Sequence, residues 1–342
     1  MPDASDFDRQ YQTCLASAGL YHRRDRGLIE LRGADRAQWL NNFVTNVVTT
    51  LSDGEGNYAF ATTREGRTVF DLNMLVLDDH IWLDIDRRRL EAAMKHLDRY
   101  LICEDVTMLD LTARTGRFAV LGPQTSNVVE RLGFANLTAM AWLQHTPGTI
   151  DCREVRMMRH DFAGLVGAEF FLTLTGASAD EQTASTVAAL SAKLQLPIAD
   201  RSVVETLRIE AGIPASVDDI NEDILPPETG QVERGISSQK GCYLGQEVLE
   251  RMRSRGALAR RLTGIRFEGE APVPPGSDLI ANEKSVGRTT SGCISPALGA
   301  PLSLAYLKTA VAEPGTPVIA DTEDGPRHGT TTALPVRRLA SP

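Results

Sequence analysis

The sequence contains no run of eighteen apolar residues, so no segment reads as a membrane-spanning helix. Its first nine residues, Met1–Arg9, are acidic and polar, unlike a secretory leader or an arginine-rich transit segment. The expectation is a soluble, cytoplasmic protein that meets no membrane. Cysteine is sparse: Cys14, Cys103, Cys152, Cys242 and Cys293 lie far apart, are odd in number and never stand as C-x-x-C. That argues against a disulfide framework and against a zinc site. The six histidines are equally scattered and form no H-E-x-x-H, so no metal is expected. Basic charge is short as well, with 36 Lys and Arg against 45 Asp and Glu, a net charge of −9 and a pI of about 5.3. Proteins that grip phosphate backbones carry the opposite balance, so direct nucleic-acid binding is not expected. What remains is a chain of 342 residues, 42% hydrophobic, with enough apolar material for two or three domains.

Gly27–Leu31 reads as a strand. Trp39, Leu40, Phe43, Val44 and Val47 then recur at three- and four-residue steps, which predicts one helix with Trp39 in the core. Tyr58–Thr62, Thr68–Leu77 and Ile81–Asp86 read as an antiparallel meander, the first two strands joined at Arg64-Glu65-Gly66-Arg67. In the second of these, Leu72, Met74 and Val76 share one face, while Asp71 and Asn73 share the other with Leu75 and Leu77. Asp71 is therefore either a surface or edge residue or a functional carboxylate. Asp84 or Asp86 can cap the helix that follows, whose inner stripe is Leu90, Ala93, Met94, Leu97 and Leu101. Val106–Leu111 returns as a strand.

A second unit of the same kind starts at Phe118–Leu121. It has a helix through Val128, Val129 and Leu132, strands at Glu154–Met158 and Phe170–Leu174, and helices near 180–194 and 202–211. The last is stopped by Gly212 and Pro214. Strands grouped with helices, without a steady β–α alternation, place the chain in the α+β class with antiparallel sheets. Pro214–Gly235 is a long acidic loop with Pro226-Pro227, a type of segment that is either functional or disordered. Beyond about Ala257 short β-runs are split by glycine and proline, at 262–267, 278–281, 287–291, 302–307, 317–320 and 330–334, which predicts a small β-barrel. The expected division is 1–256, itself two units of about 1–115 and 116–256, and a C-terminal barrel domain at 257–342.

The densest stretch of chemistry is Lys240-Gly241-Cys242-Tyr243-Leu244-Gly245-Gln246-Glu247. Two glycines permit φ > 0 or close backbone approach, and a thiol lies between them near Lys240. Arg251, Arg253, Arg255, Arg260 and Arg261 follow. Positive charge near a thiol raises its thiolate fraction. The stretch reads either as a tight turn with a buried cysteine or as a working thiol stabilised by Lys240 and the arginines. Gln246 and Glu247 either position a partner group or close the turn and supply charge to a helix N-terminus. The loop acids before the motif can neutralise the arginines after it.

With its surroundings, this octapeptide resembles the K-G-C-Y/F-x-G-Q-E signature of the YgfZ-type family, folate-binding proteins of iron–sulfur cluster assembly and repair that are related to the glycine-cleavage T-protein, an aminomethyltransferase. Leu207–Pro214 resembles the helix end before the signature in both families. Gly66-Arg67 with Asp71-Leu72 resembles the first-domain hairpin. Val286-Gly287, Ser295-Pro296, Leu298-Gly299, Ala305-Tyr306 and Pro314-Gly315-Thr316 resemble the C-terminal barrel, so the likeness runs from about Gly27 to Pro335. It implies a cloverleaf of two α+β units and a small β-barrel around a folate channel. It also implies tetrahydrofolate or a derivative as cofactor, with Asp71, Arg208 and Tyr243 as folate contacts and Cys242, Lys240, Gln246 and Glu247 as the catalytic set. The chain departs from the T-protein pattern in two places. Phe70 stands where one of two paired hairpin acids would be, leaving Asp71. Leu165, in Ala163-Gly164-Leu165-Val166-Gly167-Ala168-Glu169, stands where a glutamate would meet the pterin. A leucine accepts no hydrogen bond, and losing such a pair costs about 1–3 kcal/mol.

The resemblance implies a folate-dependent accessory factor in iron–sulfur cluster assembly or repair, acting through Cys242, with a folate small molecule and iron–sulfur client or assembly proteins as partners. Two alternatives stand beside it. One is a tetrahydrofolate-dependent aminomethyl or methyl transferase using Asp71. The other is a non-catalytic folate-binding or scaffold module.

Overall fold

A computed structural model of the chain describes residues 4–174, 178–256 and 258–337. Ala257, the expected domain boundary, and the side chain of Arg255 lie outside the described residues. The chain forms two compact units, each assembled from several segments. Met1–Thr62, Val69–Val204 and Glu233–Leu244 make the first, and Thr63–Thr68, Glu205–Val232 and Gly245–Pro342 the second.

The first unit opens with α1 (Ala4–Ala16), β1 (Gly19–His22), β2 (Arg26–Arg32), α2 (Arg36–Asn41), β3 (Gly56–Thr62), β4 (Thr68–Val76), β5 (His80–Asp86), α3 (Leu90–Asp98) and β6 (Thr107–Asp110). Strands β3-β4-β5-β2-β6 make one antiparallel sheet, the expected meander with β2 and β6 added. Asp86 caps the turn before α3 by accepting from the Arg88 N–H, as its position predicts. The predicted long helix over Trp39–Val47 stops at Asn41. Trp39, Leu40 and Val44 still enter one core, with Phe43 packed against it, but Val47 does not. Val44 and Thr45 turn to pair with β3 instead: Thr45 N–H donates to Phe60 O at 2.9 Å and Thr45 Oγ1 accepts from Phe60 N at 2.9 Å. Apolar spacing reported burial there and not helix.

The second sheet uses β7 (Thr115–Leu121), β8 (His145–Ile150), β9 (Arg153–Arg159) and β10 (Gly167–Thr173), with helices α4 (Thr125–Arg131) and α5 (Ala179–Leu194). Its order is β1-β7-β10-β9-β8, so β1, unread in the sequence, is an edge strand. Leu28, Leu75 and Leu77 of the first sheet meet Leu143, Met158 and Phe171 of the second half of the unit. Both faces of β4 are therefore covered. This overturns the surface or edge reading of Asp71, which is 7% exposed.

Charge is also buried between these sheets. Arg117 binds Asp84 and Glu169, each at 2.6 Å. Arg26 reaches Asp84 at 2.9 Å, Arg23 reaches Glu169 at 3.0 Å, and His160 reaches Glu169 at 2.6 Å. Burial opposes ionisation of both acids, but Arg117 with Arg26 or Arg23 outweighs it and holds each carboxyl well below the usual range. Buried ion pairs of this kind act as a cross-link, and removing one member leaves an uncompensated charge, which is costly.

The second unit holds the end of α6 (Arg201–Ala211), the acidic loop, and α8 (Gln246–Arg255). A short helix, α7 (Val232–Gly235), precedes α8 in the chain. The loop acids divide: Asp218, Glu222 and Asp223 are exposed, whereas Asp219 is fully buried on Arg208 and buried Glu228 holds Arg260 at 3.0 Å. The barrel closes in the order β11 (Arg260–Phe267), β14 (Ala300–Lys308), β13 (Lys284–Ser295), β12 (Asp278–Ala281), β15 (Pro317–Asp321) and β16 (Arg327–Thr332). Alternate residues such as Ile265, Phe267, Leu279, Leu307 and Val318 fill it. These are the expected strands, the last ending at Thr332. The two antiparallel sheets with helices and the C-terminal barrel are the α+β architecture read from the sequence. No helix among the described residues is long and apolar enough to cross a membrane.

Candidate functional site

The segment Glu233–Leu244 runs along β3, the edge strand of the first sheet. Thr45 Oγ1 donates to Gly235 O at 2.6 Å, Asn46 Nδ2 to Arg234 O at 2.9 Å, and Ser237 N to Thr45 O at 3.1 Å. Gly235 has to be glycine, since a Cβ there would lie 2.6 Å from the Phe60 ring. Farther on, Leu244 N donates to Asn42 O at 2.9 Å and Thr62 Oγ1 to Leu244 O at 2.6 Å.

Lys240 is the strongest anchor. Its ammonium donates to the carbonyls of Asn41 at 2.6 Å, Asn46 at 3.0 Å and Val44, and lies 5.0 Å over the Tyr243 ring. These carbonyls are free to receive it because α2 ends at Asn41 and its backbone turns outward. Burial pushes the Lys240 pKa down to about 7, while three carbonyl dipoles favour the charged form. All three ammonium protons are thereby committed to backbone. Between the Lys240 and Leu244 anchors, Gly241 and Cys242 form an exposed arch, with nothing within 4 Å of a Cβ at Gly241. The thiol is accessible rather than buried in a turn.

Four of the arginines after the motif are likewise spent within their own unit. Arg251 pairs with Glu247, Arg253 with Glu250, Arg260 with Glu228, and Arg261 with Glu313. Glu247 is exposed in the first turn of α8, and Gln246 opens that helix behind Gly245, whose φ of +84° favours glycine. Arg208 is a buried cross-link: it donates to Asp219, Glu205, Ile213 O and Ser291. Lys240, Cys242 and Tyr243 belong to one segment of the first unit, whereas Arg208, Gln246 and Glu247 belong to the second.

Asp71 makes a different kind of centre. Its Oδ2 accepts from Tyr58 OH at 2.9 Å, while Oδ1 is buried and has no partner among the described residues. Tyr58 packs edge-on against Phe60 and Trp142, at 5.1 and 6.3 Å between ring centroids. The Trp142 indole N–H is also buried without a partner among the described residues, and Arg234 lies 5.1 Å over its ring. Tyr58 and Trp142 carry no signal in the sequence that marks them out. Tyr58 stands thirteen residues from Asp71 on the neighbouring strand, a pairing only a hairpin register reveals. Phe70 points into the apolar core and carries no polar function. Leu165 is half-buried on the turn between β9 and β10. An unpaired buried acceptor and donor beside aromatic rings can hold a flat ligand that offers both N–H and acceptor edges. No group of three or more His, Cys, Asp or Glu among the described residues is placed to hold a metal ion.

Two family models match the chain: the GCVT N-terminal domain over residues 4–236 and the glycine cleavage T-protein C-terminal barrel domain over residues 260–336. An aminomethyltransferase of Rubrobacter xylanophilus is 26% identical over 298 residues, covering 87% of this chain and 78% of that protein. One of Cutibacterium acnes is 27% identical over 342 residues, covering 95% and 89%. Among solved structures, the glycine cleavage system aminomethyltransferase T from Bartonella henselae superposes with a TM-score of 0.84 at 19% identity, covering 97% of this chain and 89% of that one. At that identity the likeness speaks for the fold.

Proposed function

As the chain belongs to the glycine cleavage T-protein family, we propose that it binds a folate-type one-carbon carrier, tetrahydrofolate or a derivative. The observation that supports this reading is the buried Asp71 carboxylate with Oδ1 left unpaired. An unsatisfied buried acceptor of this kind costs about 1–3 kcal/mol, which a ligand N–H returns on binding. Tyr58 fixes the carboxylate through Oδ2, Trp142 offers a donor, and the edge-to-face Tyr58 and Phe60 rings supply apolar surface. Bound tetrahydrofolate supplies the amine nitrogens that accept or release a one-carbon unit. Under this reading Asp71 holds or takes up a proton there, the step a folate-dependent transferase needs. Leu165 removes the acceptor that the T-protein pattern puts at this position, so binding is weaker than in members with a glutamate. Calorimetric titration with tetrahydrofolate tests the reading. Saturable binding that weakens about 10- to 100-fold in Asp71→Ala is expected. No binding by the native protein, or equal binding by the variant, would sink it.

A second reading rests on the Lys240–Glu247 motif, whose Cys242 stands accessible on an arch anchored at both ends. It is the accessory role in iron–sulfur cluster assembly or repair that the YgfZ-type resemblance implies. Under it, Cys242→Ala keeps tetrahydrofolate binding and loses the ability to sustain iron–sulfur enzyme activity in a depleted strain. Full activity of that variant excludes a working thiol. Turnover of a methylamine donor separates a transferase from a non-catalytic folate-binding module.

A further inference from the structure

The edge strand β1, the start of α5, the Arg87–Arg88 turn and the Ile198–Arg201 segment enclose a groove of about 680 Å³ in the first unit. Tyr21, Val187 and Ile198 give it an apolar floor, and Ile198 is 41% exposed there, high for an isoleucine. A smaller cavity of about 190 Å³ adjoins it and shares His22, Arg24 and Arg87. Arg23, Arg26 and Arg117 add to the wall of the smaller one, with Ser178 and Ala179 at the N-terminal end of α5.

The charge balance of this surface is uneven. Of the carboxylates that line it, Asp25 is held by Arg23 at 3.0 Å, Asp86 by Arg88 at 2.8 Å and Asp180 by Arg24 at 3.1 Å, while Asp200 accepts from the neutral Gln10 amide at 3.1 Å and keeps its charge. Arg87 and Arg201 have no side-chain hydrogen bond or ion pair among the described residues; Asp200 offsets one of them, so one positive charge is to spare in a chain of net charge −9, and of these three only Arg87 also lines the smaller cavity. Ser178 makes no side-chain cap, and the first N–H groups of the sixteen-residue helix α5 add a partial positive charge at the same place. The unpaired Arg87 guanidinium, between an apolar groove and a recess whose own arginines are already paired with Asp25, Asp84 and Glu169, matches one kind of molecule.

We propose that this groove binds a small molecule in which an oxyanion, carboxylate or phosphate, is joined to an apolar body. The oxyanion sits at Arg87 in the smaller cavity, and the body covers Tyr21, Val187 and Ile198. The combined space is of the size that small-molecule sites occupy. Neither Asp71 nor Tyr58 lines either cavity, so the site stands independently of the folate reading.

Calorimetry at low salt, in a buffer free of phosphate, with phenyl phosphate, benzoate and inorganic phosphate as probes, tests it. At least one aromatic anion should bind saturably below about 10 mM and more tightly than inorganic phosphate. Whether phenyl phosphate or benzoate binds better decides between the phosphate and carboxylate classes. Arg87→Gln should weaken binding about tenfold, the loss expected for one charged hydrogen bond. Ile198→Ser should remove the advantage of the aromatic probes over inorganic phosphate, and Asp71→Ala should change nothing. No saturable binding of either aromatic anion, or equal binding by a folded Arg87→Gln variant, overturns the proposal.

Discussion

Replacing Lys240 by methionine separates a structural clamp from an activator of Cys242. Methionine keeps the length of the side chain and removes the charge with its three donors. The carbonyls of Asn41, Val44 and Asn46 lose their common partner, and the 41–46 turn loses what holds it against the 233–244 segment. A hydrogen bond to a charged group contributes about 1.5–3 kcal/mol, but three sharing one nitrogen are far from additive. Water can reach part of this half-buried site, so a loss of about 3 kcal/mol is expected. In a domain of this size that lowers the melting temperature by about 6–12 °C. Arginine should not rescue it, because a planar guanidinium cannot converge three donors on one point. Circular dichroism melts of native, Lys240→Met and Lys240→Arg proteins measure the loss. Alkylation of Cys242 by iodoacetamide at neutral pH supplies the second readout. A clamp predicts that alkylation does not slow, since the ammonium faces carbonyls and the arch only loosens. A methionine variant with unchanged melting and several-fold slower alkylation would refute this account and return Lys240 to the thiol.

His145 accepts from Arg156 at Nδ1 (2.8 Å) and meets Glu55 O with Nε2 at 3.2 Å, which fixes it neutral. Burial and then Arg156 push its pKa down to about 4, so its contribution is present above about pH 6.5 and lost as pH falls toward 4. His145→Phe should flatten the melting temperature between those limits; an unchanged slope would contradict the assignment. Glu169→Ala leaves Arg23 and Arg117 without their shared carboxylate and should cost about 3–5 kcal/mol in urea unfolding. Its folded pKa is depressed, so the native chain should hold this stabilisation above about pH 4.5 and lose it only in stronger acid. Gly245→Ala, at φ +84°, should cost about 1–2 kcal/mol while leaving helix content intact.

Much of the fold is legible in the order of the amino acids. The alternation in Thr68–Leu77, the helical stripe of Leu90–Leu101 and the glycine- and proline-split runs after Ala257 mark local periodicities that burial enforces. The Trp39–Val47 stretch misleads for a physical reason. Its spacing satisfies a core equally well as a helix or as a turn that pairs Val44 and Thr45 with β3, and the ammonium of Lys240, about two hundred residues away, favours the turn. Strand β8, written His145-Thr-Pro-Gly-Thr-Ile150, carries no strand-like alternation and forms because β9 pairs with it.

The site divides the same way. The octapeptide and the lone acid at Asp71 stand out by composition, and glycine at 245 follows from the left-handed backbone its turn requires. Which partner each group takes was decided by the tertiary structure. Lys240 spends its donors on carbonyls freed where α2 ends, and of the arginines after the motif the loop takes Arg260 through Glu228, while Arg251, Arg253 and Arg261 pair with Glu247, Glu250 and Glu313. Asp71 is covered by a second sheet, with Tyr58 on one oxygen and no partner among the described residues on the other. Local sequence therefore determined which residues carry chemistry. Long-range packing determined which of them remain unpaired, because a charge or a lone pair is available to a ligand only when no distant segment has already claimed it.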